Sequence, residues 1–323
     1  MPRNRQILLR SRPTGMPSLE NFEMIERPMP EPKEEEVLTR TLFLSLDPYM
    51  RGRMSDAKSY ATPVALGNVM EGQTIGQVVV SRHSGLAAGD LVLGQGNWQE
   101  YASIPGKTLR KLDPALTPGS TALGVLGMPG LTAYVGLLDI GQPRSGETVV
   151  VSAASGAVGS IVGQIAKIKG CRVVGIAGGS AKCRYVVDEL GFEAGIDHRS
   201  PDFSESLTKA CPGGVDIYFE NVGGDVQRAV WPLLNNFARV PICGLIAQYN
   251  ETRPAPGPGL RSVLSKRLTV RGFIVLDHEE RSAEFVREVG GWVREGRVKY
   301  REDIVEGLEN APEAFLGLLQ GRN

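Results

Sequence analysis

The sequence predicts an α/β protein with a β-rich first third, followed by a domain built on a doubly wound parallel sheet. Three observations carry this. Glycine is in excess, 40 of 323 residues against a usual ~7%, which suits tight turns and close backbone approaches. The first 120 residues hold short apolar, β-branched runs between turn clusters, with no helix-period pattern of useful length. From about Leu123 the texture changes to strands alternating with helices, the rhythm of a parallel sheet covered on both faces.

In order, the runs 6–10, 36–45, 72–80 and 90–94 read as strands, separated by clusters such as Pro28-Met-Pro-Glu-Pro32 and Ser84-Gly-Leu-Ala-Ala-Gly-Asp90. A helix is expected near 132–139, a strand over 147–152, a helix over 160–169 and a strand over 172–177. Helices over 181–190 and near 202–210 precede a strand over 215–220. A helix over 226–235, strands over 239–244 and 268–275, and a helix over 279–295 complete the pattern. The Arg253-Pro-Ala-Pro-Gly-Pro-Gly259 tract reads as a loop.

Composition narrows the function. Lys+Arg and Asp+Glu both total 36, which argues against a nucleic-acid or anionic-membrane partner, since either calls for a basic face. The basic cluster Arg261, Lys266, Arg267 and Arg271 reads as a solvated face. Of the uncharged stretches, Pro114–Leu138 is cut by Pro118, Pro129 and five glycines, and Thr148–Ala166 reads as strand, glycine turn and helix, so both read as buried soluble segments. Four cysteines at 171, 183, 211 and 243 form no CxxC pair, and only three histidines are present, so no metal site is expected. Widely spaced thiols and the absence of a signal-peptide pattern point to the cytoplasm.

The chemical signal is Val149-Val-Val-Ser-Ala-Ala-Ser-Gly-Ala-Val-Gly-Ser160. Ala154, Gly156 and Gly159 match G-x-G-x-x-G with alanine in first place, after a strand and before a helix, the setting in which backbone N–H groups meet a pyrophosphate. The next strand ends Ala177-Gly-Gly-Ser-Ala-Lys-Cys-Arg184 without the acid that would bond a ribose 2′-hydroxyl. Ser180, Lys182 and Arg184 would suit a 2′-phosphate, which favours NADP(H).

Leu46-Asp-Pro-Tyr-Met-Arg51, Ala153-Ala-Ser-Gly-Ala-Val-Gly-Ser160, Tyr218-Phe-Glu-Asn-Val-Gly-Gly224 and Gln248-Tyr-Asn250 complete a pattern that covers essentially the whole chain. It resembles the zinc-independent medium-chain dehydrogenase/reductases. Within them it is similar to the leukotriene B4 12-hydroxydehydrogenase/prostaglandin reductase and alkenal double-bond reductase branch, including the bacterial NADPH-dependent curcumin reductases. The resemblance implies a GroES-like catalytic domain over residues 1–122, an NADP-binding Rossmann domain over 123–300, and a return of 301–323 to the first domain. It also implies NADPH in the cleft, an enone or enal substrate and a homodimer. Zinc-dependent relatives carry Gly-His-Glu where this chain has Gly67-Asn-Val-Met-Glu71.

Carried over residue by residue, the resemblance implies Ser155, Gly156, Ala157 and Val158 at the pyrophosphate, and Gly178, Ser180, Lys182 and His198 at the adenosine ribose and its phosphate. Pro48, Met128, Asn221, Cys243, Gly244 and Tyr249 would line the nicotinamide half, and Phe273, Ile274 and Val275 the carboxamide. Asn323 matches the asparagine of a C-terminal Gly-x-Asn motif; a final strand follows it in relatives, so a shortened C-terminus is expected.

Reducing a conjugated C=C bond puts hydride on the β-carbon and negative charge on the carbonyl oxygen. Without a metal, that charge needs neutral donors, for which Tyr249, Tyr49 and Tyr60 are the candidates, beside the cofactor's own ribose hydroxyl. Two alternatives stay open: a quinone reductase of the same superfamily, and an NADPH-binding protein without catalysis.

Overall fold

A computed structural model of the chain describes residues 3–113, 118–253 and 256–322. The chain divides into two compact units, one of Met1–Leu123 with Asp303–Asn323, the other of Gly124–Glu302.

In the first unit β1 (Arg3–Leu9) pairs antiparallel with β2 (Phe22–Pro28). A five-stranded antiparallel sheet follows, from β3 (Glu36–Leu44), β4 (Thr74–Ser81), β5 (Leu91–Gly94), β6 (Tyr101–Pro105) and β7 (Arg110–Lys111), in the order β6-β3-β4-β5-β7. A single helical turn, α1 (Met50–Arg53), interrupts it. The strands β2, β6 and β7 have no counterpart in the sequence reading. β2 mixes charged and apolar residues without a regular alternation and is exposed along most of its length, which weakens its strand signal.

The second unit is a six-stranded parallel sheet. Its strands are β8 (Thr148–Val151), β9 (Arg172–Ala177), β10 (Ala194–Asp197), β11 (Val215–Phe219), β12 (Leu234–Ile242) and β13 (Thr269–Gly272). Their order, β10-β9-β8-β11-β12-β13, is the doubly wound order in which chain direction across the sheet reverses between the first and fourth strands. β8 shows why such strands read as unbroken apolar runs. Val149 and Val151 enter one core with Ile161, Ile165, Phe219, Phe285 and Val289, whereas Val150 enters the opposite core with Val174, Tyr218, Phe203 and Leu207. Each fully buried side chain of this kind contributes about 1.5–3 kcal/mol.

The covering helices are α2 (Met128–Val135), α3 (Gly159–Ile168), α4 (Ser180–Arg184), α5 (Phe203–Ala210), α6 (Gly224–Val230), α7 (Leu260–Lys266) and α8 (Ser282–Arg294). Several differ from the sequence expectation. α2 starts earlier and runs into a π-helical turn at Gly136–Gly141, and α4 runs into another at Tyr185–Glu189. The helix expected over 226–235 stops at Val230, because Trp231-Pro232 forms a 3-10 turn and β12 begins at Leu234. β10 and α7 fall in stretches that carried no element in that reading.

The chain then returns to the first unit with α9 (Ala311–Leu319), whose Phe315 is fully buried with Phe22 and Trp98. Phe22 and Trp98 stack at 5.6 Å, and the Phe315 ring stands edge-on to both at 6.4 and 5.7 Å. Among the described residues, no helix is long and apolar enough to cross a membrane.

Candidate active site

The turn between β8 and α3 is shaped around the Ala153 carbonyl. It accepts the Gly156 N–H at 3.0 Å, and Ala153 itself lies in the left-handed region with φ +50°. That conformation costs about 1 kcal/mol for a residue with a Cβ. It falls one residue before Ala154, which the sequence match placed at the first glycine. A Cβ on Gly159 would stand 2.3 Å from the Ala153 oxygen, so only glycine lets α3 start this close to β8. The Ala154 N–H is tied to Ile176 at the end of β9 (2.9 Å). Ser155, Gly156 and Val158 are half-buried and Ala157 is exposed at the turn's mouth, beside the positive N-terminal end of α3, where the Ser160 N–H bonds the Gly156 carbonyl at 3.0 Å.

The end of β9 forms the adjoining wall. The Asp197 carboxylate accepts the N–H groups of Gly179 and Arg199, both at 2.9 Å, and these bonds hold it below its ordinary range. A methyl group built on Gly178 would lie 3.0 Å from both His198 Nε2 and Arg199 Nε. The bare glycine thus opens a cradle beneath an imidazole and a guanidinium. Burial, then Arg199, pushes the His198 imidazole down. Ser180 is exposed and Lys182 half-buried on α4, one turn away.

Across the switch point, the ends of β11 and β12 meet. Asn221 donates its N–H to Ser152 Oγ (2.8 Å) and its side-chain amide to the Ser152 carbonyl (2.7 Å). The Cys243 and Gly244 N–H groups bond the Glu220 carbonyl at 2.9 and 3.2 Å. Gly244 lies against Tyr249: a Cβ built on it would stand 3.0 Å from the Tyr249 hydroxyl and 3.6 Å from the Asn221 carbonyl. The structure therefore brings Asn221, Gly244 and Tyr249 together. Burial, reinforced by Glu220, pushes the Cys243 thiol up to about 12, so it is no nucleophile.

Phe273 packs against Phe219 at 6.4 Å, and Ile274 and Val275 continue half-buried from β13. Met128 begins α2, half-buried, its carbonyl taking the Thr132 hydroxyl at 2.7 Å. Asn323 lies outside the described residues.

In the first unit, Pro48 and Tyr49 are half-buried just before α1. The Arg53 guanidinium lies 5.4 Å from the Tyr49 ring and 5.0 Å from that of Tyr60, and pairs with Glu71 at 3.2 Å. Burial, then the Asp47 charge, holds the Tyr49 phenol above its ordinary range, so it stays a neutral donor. Tyr60 is 57% exposed. Asp47 is buried, and that burial pushes it up to about 6 against the opposing hydrogen bond from Ser45 (2.7 Å).

Two family models match, one described as the N-terminal domain of oxidoreductase over residues 5–112 and one as zinc-binding dehydrogenase over 157–289. The chain is 55% identical over 327 residues to the NADPH-dependent curcumin reductase of Escherichia coli (strain K12), spanning 99% of this chain and 95% of that one. It is 42% identical to prostaglandin reductase 1 of Rattus norvegicus over 96% and 93% of the two chains. The crystal structure of CurA in complex with NADPH from Vibrio vulnificus superimposes with a TM-score of 0.96 at 53% identity, over 99% and 96%. The chain belongs to the zinc-independent medium-chain dehydrogenase/reductases, in the branch of the curcumin and alkenal reductases. Its fold is the one that family carries, a GroES-like antiparallel unit and a Rossmann unit.

Within a medium-chain reductase, two residues stand out that the sequence reading gave no role. Arg199 overlies Gly178, and the signal for it was its place at the end of β10, which the missed strand concealed. Glu220 stands inside the Tyr218-Phe-Glu-Asn-Val-Gly-Gly224 motif but drew attention only to its asparagine. Among the described residues, no three His, Cys, Asp or Glu side chains gather as a metal-holding group.

Proposed function

We propose that this protein is an NADPH-dependent reductase of the C=C bond in α,β-unsaturated ketones and aldehydes, working without a metal as a cytoplasmic homodimer. The observation that carries the reading is a cradle with two different ends on one sheet. Glycines with Arg199, His198 and Lys182 stand at the β8–β9 end, and Asn221, Gly244 and Tyr249 converge at the β11–β12 end. That division of phosphate-binding from ring-binding chemistry fits NADPH, and of the relatives spanning nearly the whole chain one is an NADPH-dependent curcumin reductase by name and another is solved in complex with NADPH.

NADPH, when bound, supplies the hydride. The backbone of Ser155–Val158 holds the pyrophosphate, while Ser180, Lys182, His198 and Arg199 hold the ribose phosphate over Gly178. Asn221, Cys243 and Gly244, with Pro48, Met128 and the Phe273–Val275 backbone, position the nicotinamide half. Tyr249 donates to the oxygen on which charge develops, with Tyr49 as second donor and Tyr60 as third. Free thiols at Cys171, Cys183, Cys211 and Cys243 suit a reducing compartment. Support for the dimer comes from β13, an edge strand exposed at all four residues, near Leu260 and Leu264 at 80% exposure. Light-scattering mass in solution tests it.

The deciding experiment is an NADPH-oxidation screen with enones, enals and quinones, with and without chelator. Enones and enals should be reduced unaffected by chelator, and Tyr249→Phe should slow single-turnover hydride transfer on the order of 10–100-fold. Quinone turnover well above enone turnover, or no oxidation at all, would sink the reading.

A further inference from the structure

Glu220 is a fully buried carboxylate at the C-terminal end of β11. Its Oε1 accepts the N–H groups of Val222 (2.8 Å) and Gly223 (3.0 Å) and lies 3.1 Å from Ser152 Oγ. Its Oε2 is buried, and the equally buried Tyr218 hydroxyl is the neutral donor beside this carboxylate; burial, then the Glu220 charge, raises the Tyr218 phenol. Among the described residues, no Lys, Arg or His forms an ion pair with it. Fixing an acidic group in this position is costly unless something compensates it. Backbone satisfaction of one oxygen explains the loop geometry. It does not explain why the group is an acid rather than a glutamine, which would accept the same bonds.

The sheet order supplies a reason. The glycine turn and the ribose wall occupy the β8–β9 side of the switch point, so a dinucleotide crossing it lays its other half over the ends of β11 and β12. Glu220, Asn221, Cys243 and Gly244 stand there. A nicotinamide ring is neutral when reduced and carries one positive charge when oxidised. We propose that Glu220 acts as a fixed anion beneath that half of the site, favouring the oxidised, cationic ring over the reduced one and so favouring hydride release. In that step the C4–H bond breaks with its electron pair, which forms a C–H bond at the acceptor's β-carbon. The ring gains a positive charge, the acceptor oxygen a negative one, and a proton from water completes the α-carbon. A charge placed in advance where the opposite charge develops lowers the barrier without reorganisation. Glu220 is a positioning residue in this scheme, since it acts through the field and through the loop bearing Asn221.

The inference rests on NADPH as the cofactor. Its test is the ratio of dissociation constants for NADP⁺ and NADPH, measured by calorimetry and nicotinamide fluorescence on the full chain. Glu220→Gln keeps the Oε1 acceptor and removes the charge, so it should weaken NADP⁺ about tenfold relative to NADPH, the shift expected of a unit charge several ångströms away at intermediate dielectric. Glu220→Asp keeps the charge, and its ratio should stay near the parent's even where both affinities fall. The wild-type protein gives a reading that needs no variant. Nicotinic acid adenine dinucleotide phosphate, whose ring carboxylate cancels the ring charge, should bind more weakly than NADP⁺. An unchanged ratio in Glu220→Gln, equal shifts in Gln and Asp, or equal binding of the two oxidised nucleotides overturns the proposal. Enone reduction is assayed on the same preparation: its absence in the wild type counts against the reductase reading and leaves the ratio interpretable.

Discussion

Asp47 offers a test of the structure that needs neither cofactor nor substrate. Pushed up to about 6 from an ordinary value near 3.8, its carboxyl binds a proton more tightly in the folded than in the unfolded chain. Its contribution to stability is therefore fullest below about pH 4 and is lost as pH rises through 6. Asp47→Asn, which keeps an acceptor for Ser45, should stabilise the protein at pH 7.5 by on the order of 1–3 kcal/mol and leave it unchanged at pH 4. Urea denaturation at the two pH values checks this, and equal effects at both would show that Asp47 is not the titrating group. The phosphate cations allow a second comparison. Lys182→Ala and Arg199→Ala should each raise KM for NADPH by about 10–100-fold, the loss of one charge-assisted contact, with NADH almost unchanged. Equal loss with both nucleotides would mean that the residue only supports the fold. Lys182 was legible because it follows the glycine pair at a strand end. Arg199 was not, because its position over Gly178 depends on β10 lying beside β9, a pairing no local pattern announces.

At the scale of elements, the helix after the glycine turn is set by one close approach. A Cβ on Gly163 would come 1.9 Å from the Phe192 ring, which closes α3 onto the loop before β10. Gly163→Ala should destabilise the protein by about 1–3 kcal/mol through overpacking, outweighing the helix-propensity gain. Phe192→Leu in the same chain should recover part of the loss, and a thermal melt of both variants reads the coupling. The strand, turn and helix around this contact were readable because β8 is apolar on both faces and the glycines punctuate it. What escaped were the π-helical turns at Gly136–Gly141 and Tyr185–Glu189, where the 3.6-residue period breaks, the largely exposed strand β2 and the two-residue β7. Of the site, the β8–β9 end was legible from spacing. The contact of Tyr249 with Gly244 depends on a 3-10 turn at Ile246–Gln248 that leaves no periodic trace.

At the scale of the whole molecule, the first unit is assembled from both ends of the described chain. Phe315 of α9 closes an aromatic cluster with Phe22 and Trp98, among Met50, Met54 and Met70, all buried. Phe315→Ala should cost the first unit about 3–5 kcal/mol. Trp98 fluorescence in a denaturant titration should report an earlier transition, and a curve matching the parent's would show that α9 is dispensable. The same arrangement imposes an order on biosynthesis. Strands β1 to β7 leave the ribosome first, yet their core lacks Phe315 until the intervening Gly124–Glu302 has been made. At usual elongation rates that takes roughly 10–35 s. During that time the uninterrupted Rossmann unit can complete itself, while Phe22 and Trp98 wait for their last neighbour. The nascent chain thus matures from its middle outward, and the early segment is the part that a chaperone has reason to hold.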